Sequence, residues 1–310
     1  MKNHHLLLLL CVLMASCQSK KVLLQLDLAE GDTYYQKSTM DSHISQVFGE
    51  NTIDIDMGIV GDMSLKVVAE ENDYYIMEAK FERMSMEMTM PMMNMAISSE
   101  DADKPDSNPL SKMFGRMADK PFTIKMNNKG KILEVSGMDE AFSSAVDEIA
   151  AELGDDQLDK VKAQMKQNFG KNGMLGNLQL TSPIFPENKV APGDTWNASI
   201  TSSMNGVDAD HTITYTYVKE ENGRYYLEAT GHTDMGESEK TAQNLMPFPM
   251  KYDVDGSLQA TFTLDATTGW IKAIDLKQDL DGQVEIQKNE QLPEGMLMDM
   301  KIDMDTKVTD

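Results

Sequence analysis

Beyond residue 17 the chain has no cysteine, since its only two are Cys11 and Cys17. Disulfide scaffolding, cysteine nucleophiles and cysteine-based zinc sites are therefore excluded from the rest of the molecule. Histidine is nearly as scarce: past residue 5 there are only His43, His211 and His232, far apart in sequence. Basic charge is in deficit, with 28 Lys+Arg against 51 Asp+Glu and a net charge of −23. Nucleic acid requires a basic face that releases counterions, so no nucleic-acid partner is expected. Docking on anionic headgroups through surface charge is disfavoured for the same reason. Long apolar runs are also missing. The longest, Leu6 to Met14, is about nine residues and falls short of a membrane-spanning helix. There is no HExxH, GxSxG, Walker A or GxGxxG. Carboxylate pairs such as Glu70-Glu71 mean little among so many acids. Asp253-x-Asp255-Gly256 and Asp279-x-Asp281-Gly282 suggest calcium loops only loosely, because neither has EF-hand spacing and Asp-Gly is ordinary turn chemistry. Gly58 and Gly61 form no phosphate cradle and are expected in a loop. No catalytic residue and no cofactor is expected, and the chain is read as non-enzymatic.

What is present is ordinary globular material, with 41% hydrophobic and 25% charged residues over 310 positions. The amino terminus has Lys2, an apolar run and the small pair Ala15-Ser16 leading into Cys17. This resembles a bacterial lipobox, with Met14 in place of the more usual leucine. The resemblance implies a signal peptide over 1–16, cleavage before Cys17, and acyl chains on its thiol and new amino group. Two chains already anchor stably, at about 0.8 kcal/mol per buried CH₂. Gln18, rather than an aspartate, follows the cysteine, and no acidic run comes after it. By analogy with lipoprotein sorting, the expected address is the outer membrane, facing the periplasm. The membrane is then a partner through the anchor.

Three segments recur in the same order. Gly31-Asp32-Thr33-Tyr34 returns as Gly193-Asp194-Thr195-Trp196, EENDYYIMEA at 70–79 as EENGRYYLEA at 220–229, and FTIKMNNKGKILEV at 122–135 as FTLDATTGWIKAI at 262–274. We read two related β units, the second segment aligning with one insertion. Alternation at Val22, Leu24, Leu26, Leu28 and at Ile53, Ile55, Met57 has the period of half-buried strands. Asn72-Asp73, Asn222-Gly223, Asn128-Lys129-Gly130 and Thr268-Gly269 look like hairpin turns. Between the units the period becomes helical, with Phe142, Val146, Ile149 and Leu153 behind an N-cap at Asp139. Leu158, Val161, Met165 and Phe169 follow after Gly154. This predicts an α-hairpin, and a shorter helix is expected over Leu110 to Met117.

The organisation expected is a lipidated terminus and first strand over 17–30, a first β unit over 31–138, a helical hairpin over 139–170 and a second β unit over 171–310. The fold class is α+β, mainly β: two related antiparallel units forming a curved sheet or incomplete barrel, with the α-hairpin inserted and packed on it.

Methionine is the excess, at 27 residues. Met84, Met86, Met88, Met90 and Met92 alternate with polar residues and share one face of a strand. Upstream, Tyr75, Met77, Ala79 and Phe81 hold odd positions, so a bulge near Glu82 or Arg83 is required. Met296, Met298, Met300 and Met304 repeat the device opposite Asp299, Lys301, Asp303 and Asp305. Three readings compete: a plain core face, a groove for an apolar small molecule or envelope protein, and a soft-metal site for Cu(I) at Met84, Met86 and Met88.

The Cys17 lipobox, the openings at 31–34 and 193–196, the Met-rich strand at 84–95, the segment at 120–140 and Thr268-Gly269-Trp270 together resemble a family of Bacteroidota lipoproteins defined by a domain of unknown function. The resemblance implies a lipid-anchored, β-rich envelope protein and carries over no site residue. A looser, architectural likeness is to half-barrel envelope proteins that carry lipid or lipoprotein.

Overall fold

The computed structural model describes residues 20–118, 120–150, 171–204, 207–236, 250–288 and 292–310. Cys17 with the signal segment, Leu153 of the first helical stripe, and the second stripe from Leu158 to Phe169 lie outside the described residues. The described elements are β1 (Thr33–Phe48), β2 (Asn51–Glu71), β3 (Tyr74–Met90), β4 (Met93–Ser98), α1 (Pro109–Ala118), β5 (Phe122–Asn127), β6 (Ile132–Ser136), α2 (Met138–Ile149) and α3 (Lys171–Leu180). The second half adds β7 (Thr195–Met204), β8 (Val207–Glu221), β9 (Arg224–Asp234), β10 (Met250–Asp265), β11 (Ile271–Ile286) and β12 (Met296–Thr309).

All twelve strands join one antiparallel sheet in the order β6-β5-β3-β2-β1-β12-β11-β10-β9-β8-β7, with β4 paired to the far half of β3. The sheet curls but does not close, leaving β6 and β7 as edges. Helix α3 packs against both edges. Gln179 ties it to one of them, accepting from Ile132 N–H at 2.7 Å and donating to Gly130 C=O at 3.0 Å. At the other edge Gly176 approaches so closely that a Cβ would sit 2.4 Å from Ser202 Cα. An exposed edge ladder invites foreign strands, and the helix covers that liability.

The duplication extends to individual hydrogen bonds. Gly31 and Gly193 have φ of 94° and 92°, a region open to glycine at little cost. Gly31 N–H donates to Val67 C=O and Gly193 N–H to Tyr217 C=O, while Val67 and Tyr217 donate back to Asp32 and Asp194. One residue later both second strands bulge, between Val67 and Ala69 and between Tyr217 and Lys219. Asn72 and Asn222 take φ of 54° and 53° in the next turns. The 70–79 and 220–229 segments thus align without the expected insertion. The extra residue lies in the later turn, where Asn127 N–H reaches Lys131 C=O but Asp265 N–H reaches Trp270 C=O.

Three local expectations are corrected. Residues 22–28 bury Leu24, Leu26 and Leu28 in alternation, yet form no strand beyond a single bridge between Val22 and Val190. Their backbone bonds go to turns, Leu26 N–H to Asn128 C=O and Asp27 N–H to Thr268 C=O. Alternation reports which face is buried, not where the ladder partner is. Asp139 is not the N-cap of α2: that position is Gly137, at φ 83° with no side-chain cap, and Asp139 sits in the first turn. There its charge still favours the positive helix end. Gly58 and Gly61 lie inside β2 rather than in a loop.

The core lies on the concave face. The inner side chains of β2, β3, β5, β8, β10 and β11 share one apolar cluster with α1, α2 and Leu24 to Leu28. A smaller cluster forms at the far end from Val207, Val254, Leu280, Val284, Met298, Met300 and Ile302. In α2, Phe142, Val146 and Ile149 face the larger cluster, as their spacing predicts. Truncating Phe142 or Ile149 to Ala should cost about 2–5 kcal/mol each in urea unfolding. Losses below about half a kcal/mol at both would place the stripe on the surface.

Candidate functional site

The predicted bulge is at Glu82, because Met63 pairs with Phe81 and Asp62 with Arg83. It shifts the inward phase of β3 from odd to even positions, so Met84, Met86, Met88 and Met90 continue the face begun by Tyr75 and Met77. Met92 does not join them. It sits in the turn after β3 and is 98% exposed, since Pro91 cannot extend the ladder. Met93 is exposed as well.

Two strands, β2 and β1, separate the second predicted row on β12 from the first on β3, and register connects the rows. Met88 pairs with Met57, Met57 with Ser42, and Ser42 with Met304. One step along, Met86 pairs with Ile59, Ile59 with Met40, and Met40 with Thr306. Directly opposed residues share a face, so these rows form one wall. Met40 and Met57 complete it and were missed as candidates. Ile53-x-Ile55-x-Met57 did carry an alternation signal, but only the β1–β2 register joins it to the others. Met84, Met298 and Met300 are buried core residues, and Met296 is half-buried against the smaller cluster.

The wall lies between the two apolar clusters. Met86 and Met95 pack against the edge of the larger one, and Ile44, Phe48 and Met304 against the smaller. Met40, Ile53, Ile55, Met57, Ile59, Met88 and Met90 between them are half-buried and belong to neither cluster. From strand geometry, three strand spacings by six residues make a strip of about 14 by 20 Å. Contiguous exposed apolar patches of a few hundred Å² are often functional.

Elsewhere the exposed large apolar side chains, such as Tyr35, Val68, Leu133 and Leu297, are scattered along the chain. The outward face of β10 to β12 carries Asp253, Asp255, Asp279, Asp281, Asp303 and Asp305, and the two Asp-x-Asp-Gly motifs lie in mid-strand, not in turns. A lipid-facing barrel needs an apolar outer band. A depression of about 510 Å³ on this side is lined by Ser45, Val47, Asp281, Gln283, Asp299 and Lys301, among others. Among the described residues no group of three His, Asp or Glu is placed to hold a metal ion. No described helix is long and apolar enough to cross a membrane.

His43 and His232 lie outside, 2.7 Å from Asp56 and 3.4 Å from Asp255. His211 lies inside. Its ring nitrogens stand 2.8 Å from the hydroxyls of Ser202 and Thr233, and Gln278 donates to the same Thr233 oxygen at 3.3 Å. Burial holds its pKa down at about 4, although the Asp210 carboxylate pulls the other way. Both ring nitrogens have hydroxyl partners, so among the described residues the cluster is a satisfied polar layer in the sheet interior.

Residues 72–271 match the family described as "Family of unknown function (DUF6263)". No curated protein matches the sequence. Among solved structures the chain is similar to lipovitellin, described for its lipid-protein interactions, at 10% identity and TM-score 0.44, covering 91% of this chain and 25% of that one. The chain thus spans about a quarter of the lipovitellin chain. It is also similar to Salmonella typhi OmpF in complex with daunomycin, at 8% identity and TM-score 0.24, covering 91% and 99%. A third is a DUF1329 family protein from Desulfovibrio piger, at 9% identity and TM-score 0.14, covering 86% and 83%. Likeness at these scores carries no functional argument.

Proposed function

We propose that this chain, which belongs to the DUF6263 family of unknown function, is a non-enzymatic envelope lipoprotein that holds an apolar molecule against its methionine wall. The observation that carries the reading is the half-buried strip of Met40, Met57, Met88 and Met90 between two filled cores. A plain core face would be covered as fully as its neighbours. Unbranched, polarizable methionine repacks around varied shapes, which suits a wall that meets an exchangeable ligand. Lipidation at Cys17 would fix the molecule to the outer membrane on its periplasmic side. Residues 20–28 cross the turns at Asn128 and Thr268, whereas the wall runs toward the opposite end, near the β1–β2 turn. The anchored end and the ligand end are thereby separated.

The test is titration of the purified chain with N-phenyl-1-naphthylamine. Saturable uptake is expected. Changing Met57, Met86 and Met88 together to Leu keeps volume and apolarity and should leave affinity within about threefold. Met57→Glu should weaken it at least about tenfold by placing a charge on the wall. No saturable uptake by the wild type sinks the reading. Tight Cu(I) binding that the triple leucine variant loses would replace it with soft-metal binding.

A further inference from the structure

We infer that the molecule held on this wall is an uncharged acyl ester, and that Ser42 donates a hydrogen bond to its carbonyl oxygen. The inference rests on the apolar-wall reading above and goes one chemical step further. Ser42 stands in the middle of the wall, directly opposite Met57 on one side and Met304 on the other. It is 5% exposed, and its hydroxyl has no hydrogen-bond partner. Four residues earlier on the same face, Ser38 donates to Gly61 C=O at 2.7 Å. The strand therefore permits a satisfied serine, and Ser42 is not one. An unmade bond at a buried hydroxyl costs stability that alanine would not lose, so such a group is to be explained by a function or by an occupant.

The sign of the occupant follows from the neighbours. The inward positions of β1, of β2 from Asn51 to Val67 and of the far half of β3, together with β12 from Met296 to Thr306, carry no charged side chain. Asp41 and His43, which flank Ser42, are exposed on the outer side, and His43 is engaged by Asp56. A carboxylate or phosphate on the wall would be desolvated, and the described strands of the wall offer it no cation. An ester carbonyl accepts a hydrogen bond without charge, and its chain covers the methionines. The Ser42 oxygen is closed to solvent, so the carbonyl reaches it as methionine side chains swing aside, which their rotatable bonds allow.

The experiment is displacement of N-phenyl-1-naphthylamine from the full chain by methyl laurate, tetradecane and laurate, in wild type and Ser42→Ala. One hydrogen bond to a buried group predicts about tenfold tighter binding of the ester than of the alkane. In Ser42→Ala that preference should vanish with alkane affinity unchanged, and the melting temperature should not fall. Equal binding of ester and alkane by the wild type, or a preference that survives in Ser42→Ala, overturns the role of Ser42 and leaves the apolar wall standing. Laurate binding tighter than the ester overturns the uncharged class. Displacement by none of the three, despite saturable dye uptake, overturns the acyl chemistry, and absence of dye uptake removes the wall reading itself.

Discussion

Gly256→Val or Gly282→Val should prevent folding, and Gly256→Ala alone should destabilise by about 3 kcal/mol or more, at the upper end of overpacking costs. Gly256 and Gly282 lie on the inner faces of neighbouring strands β10 and β11, either side of the Asp255–Asp281 pair. A Cβ at Gly256 would lie 2.0 Å from Asp279 O and 2.7 Å from Leu280 Cα. One at Gly282 would lie 2.1 Å from Asp253 O and 2.7 Å from Val254 Cα. These neighbours are backbone, so no rotamer change relieves the contact; the strands themselves must part. Gly231 on β9 repeats the approach, 2.6 Å from Thr212 O. Three adjacent strands thus each carry a glycine at a close backbone approach, the residue that barrels use where a sheet bends. Gly58 is the internal control. It lies in β2, and the nearest atom to its added Cβ is Asp41 Oδ1 at 3.7 Å. Gly58→Ala should therefore be neutral or slightly stabilising, since it only restricts the unfolded chain. Urea unfolding of the alanine variants decides the matter: a Gly256→Ala protein within about half a kcal/mol of wild type would mean the approach is loose.

Those glycines also show where reading the sequence ends. Asp-Gly is a local signal, and locally it says turn; only the pairing of β10 with β11 makes it a mid-strand close approach. Features written within a few residues were legible. The bulge at Glu82 follows from the change of phase between Phe81 and Met84, and the face of α2 from the spacing of Phe142, Val146 and Ile149. The duplication was legible because Gly31 and Gly193 serve the same backbone conformation and so keep the same short motif. The methionine wall was half legible. Its outer rows announce themselves as alternating methionines, but Met40, Ser42 and Met57 join them through strand pairings whose register is set by burial across the whole sheet. Residues 22–28 misled for a related reason. Their alternation is real, but the segment packs as a single extended chain across two turns, and an isolated period of two cannot distinguish that from a strand.

Stability should fall by about 3 kcal/mol as the pH drops from about 6.5 to about 4, through His211 alone. The imidazole is 2% exposed, and burial depresses its pKa to about 4, against about 6.5 in the unfolded chain. Above 6.5 it is neutral in both states, and its contribution is complete. Between the two values the unfolded chain takes up the proton and the folded protein does not, so unfolding is progressively favoured. Below about 4 both states are protonated, and the contribution is gone. Carboxylates with lowered pKa, such as Asp265 with its bonds from Thr267 and Thr268, add acid sensitivity of the same sign near the lower end. The variant His211→Gln separates the two. Its amide can still bond Ser202 and Thr233 but cannot be protonated, so its stability should stay nearly flat between pH 7 and 5, while the wild type declines. Urea midpoints measured side by side at pH 7, 6, 5 and 4.5 give the difference. If the curves run parallel, the ring is reached by water in the native state, and the polar layer between the two cores is open rather than sealed.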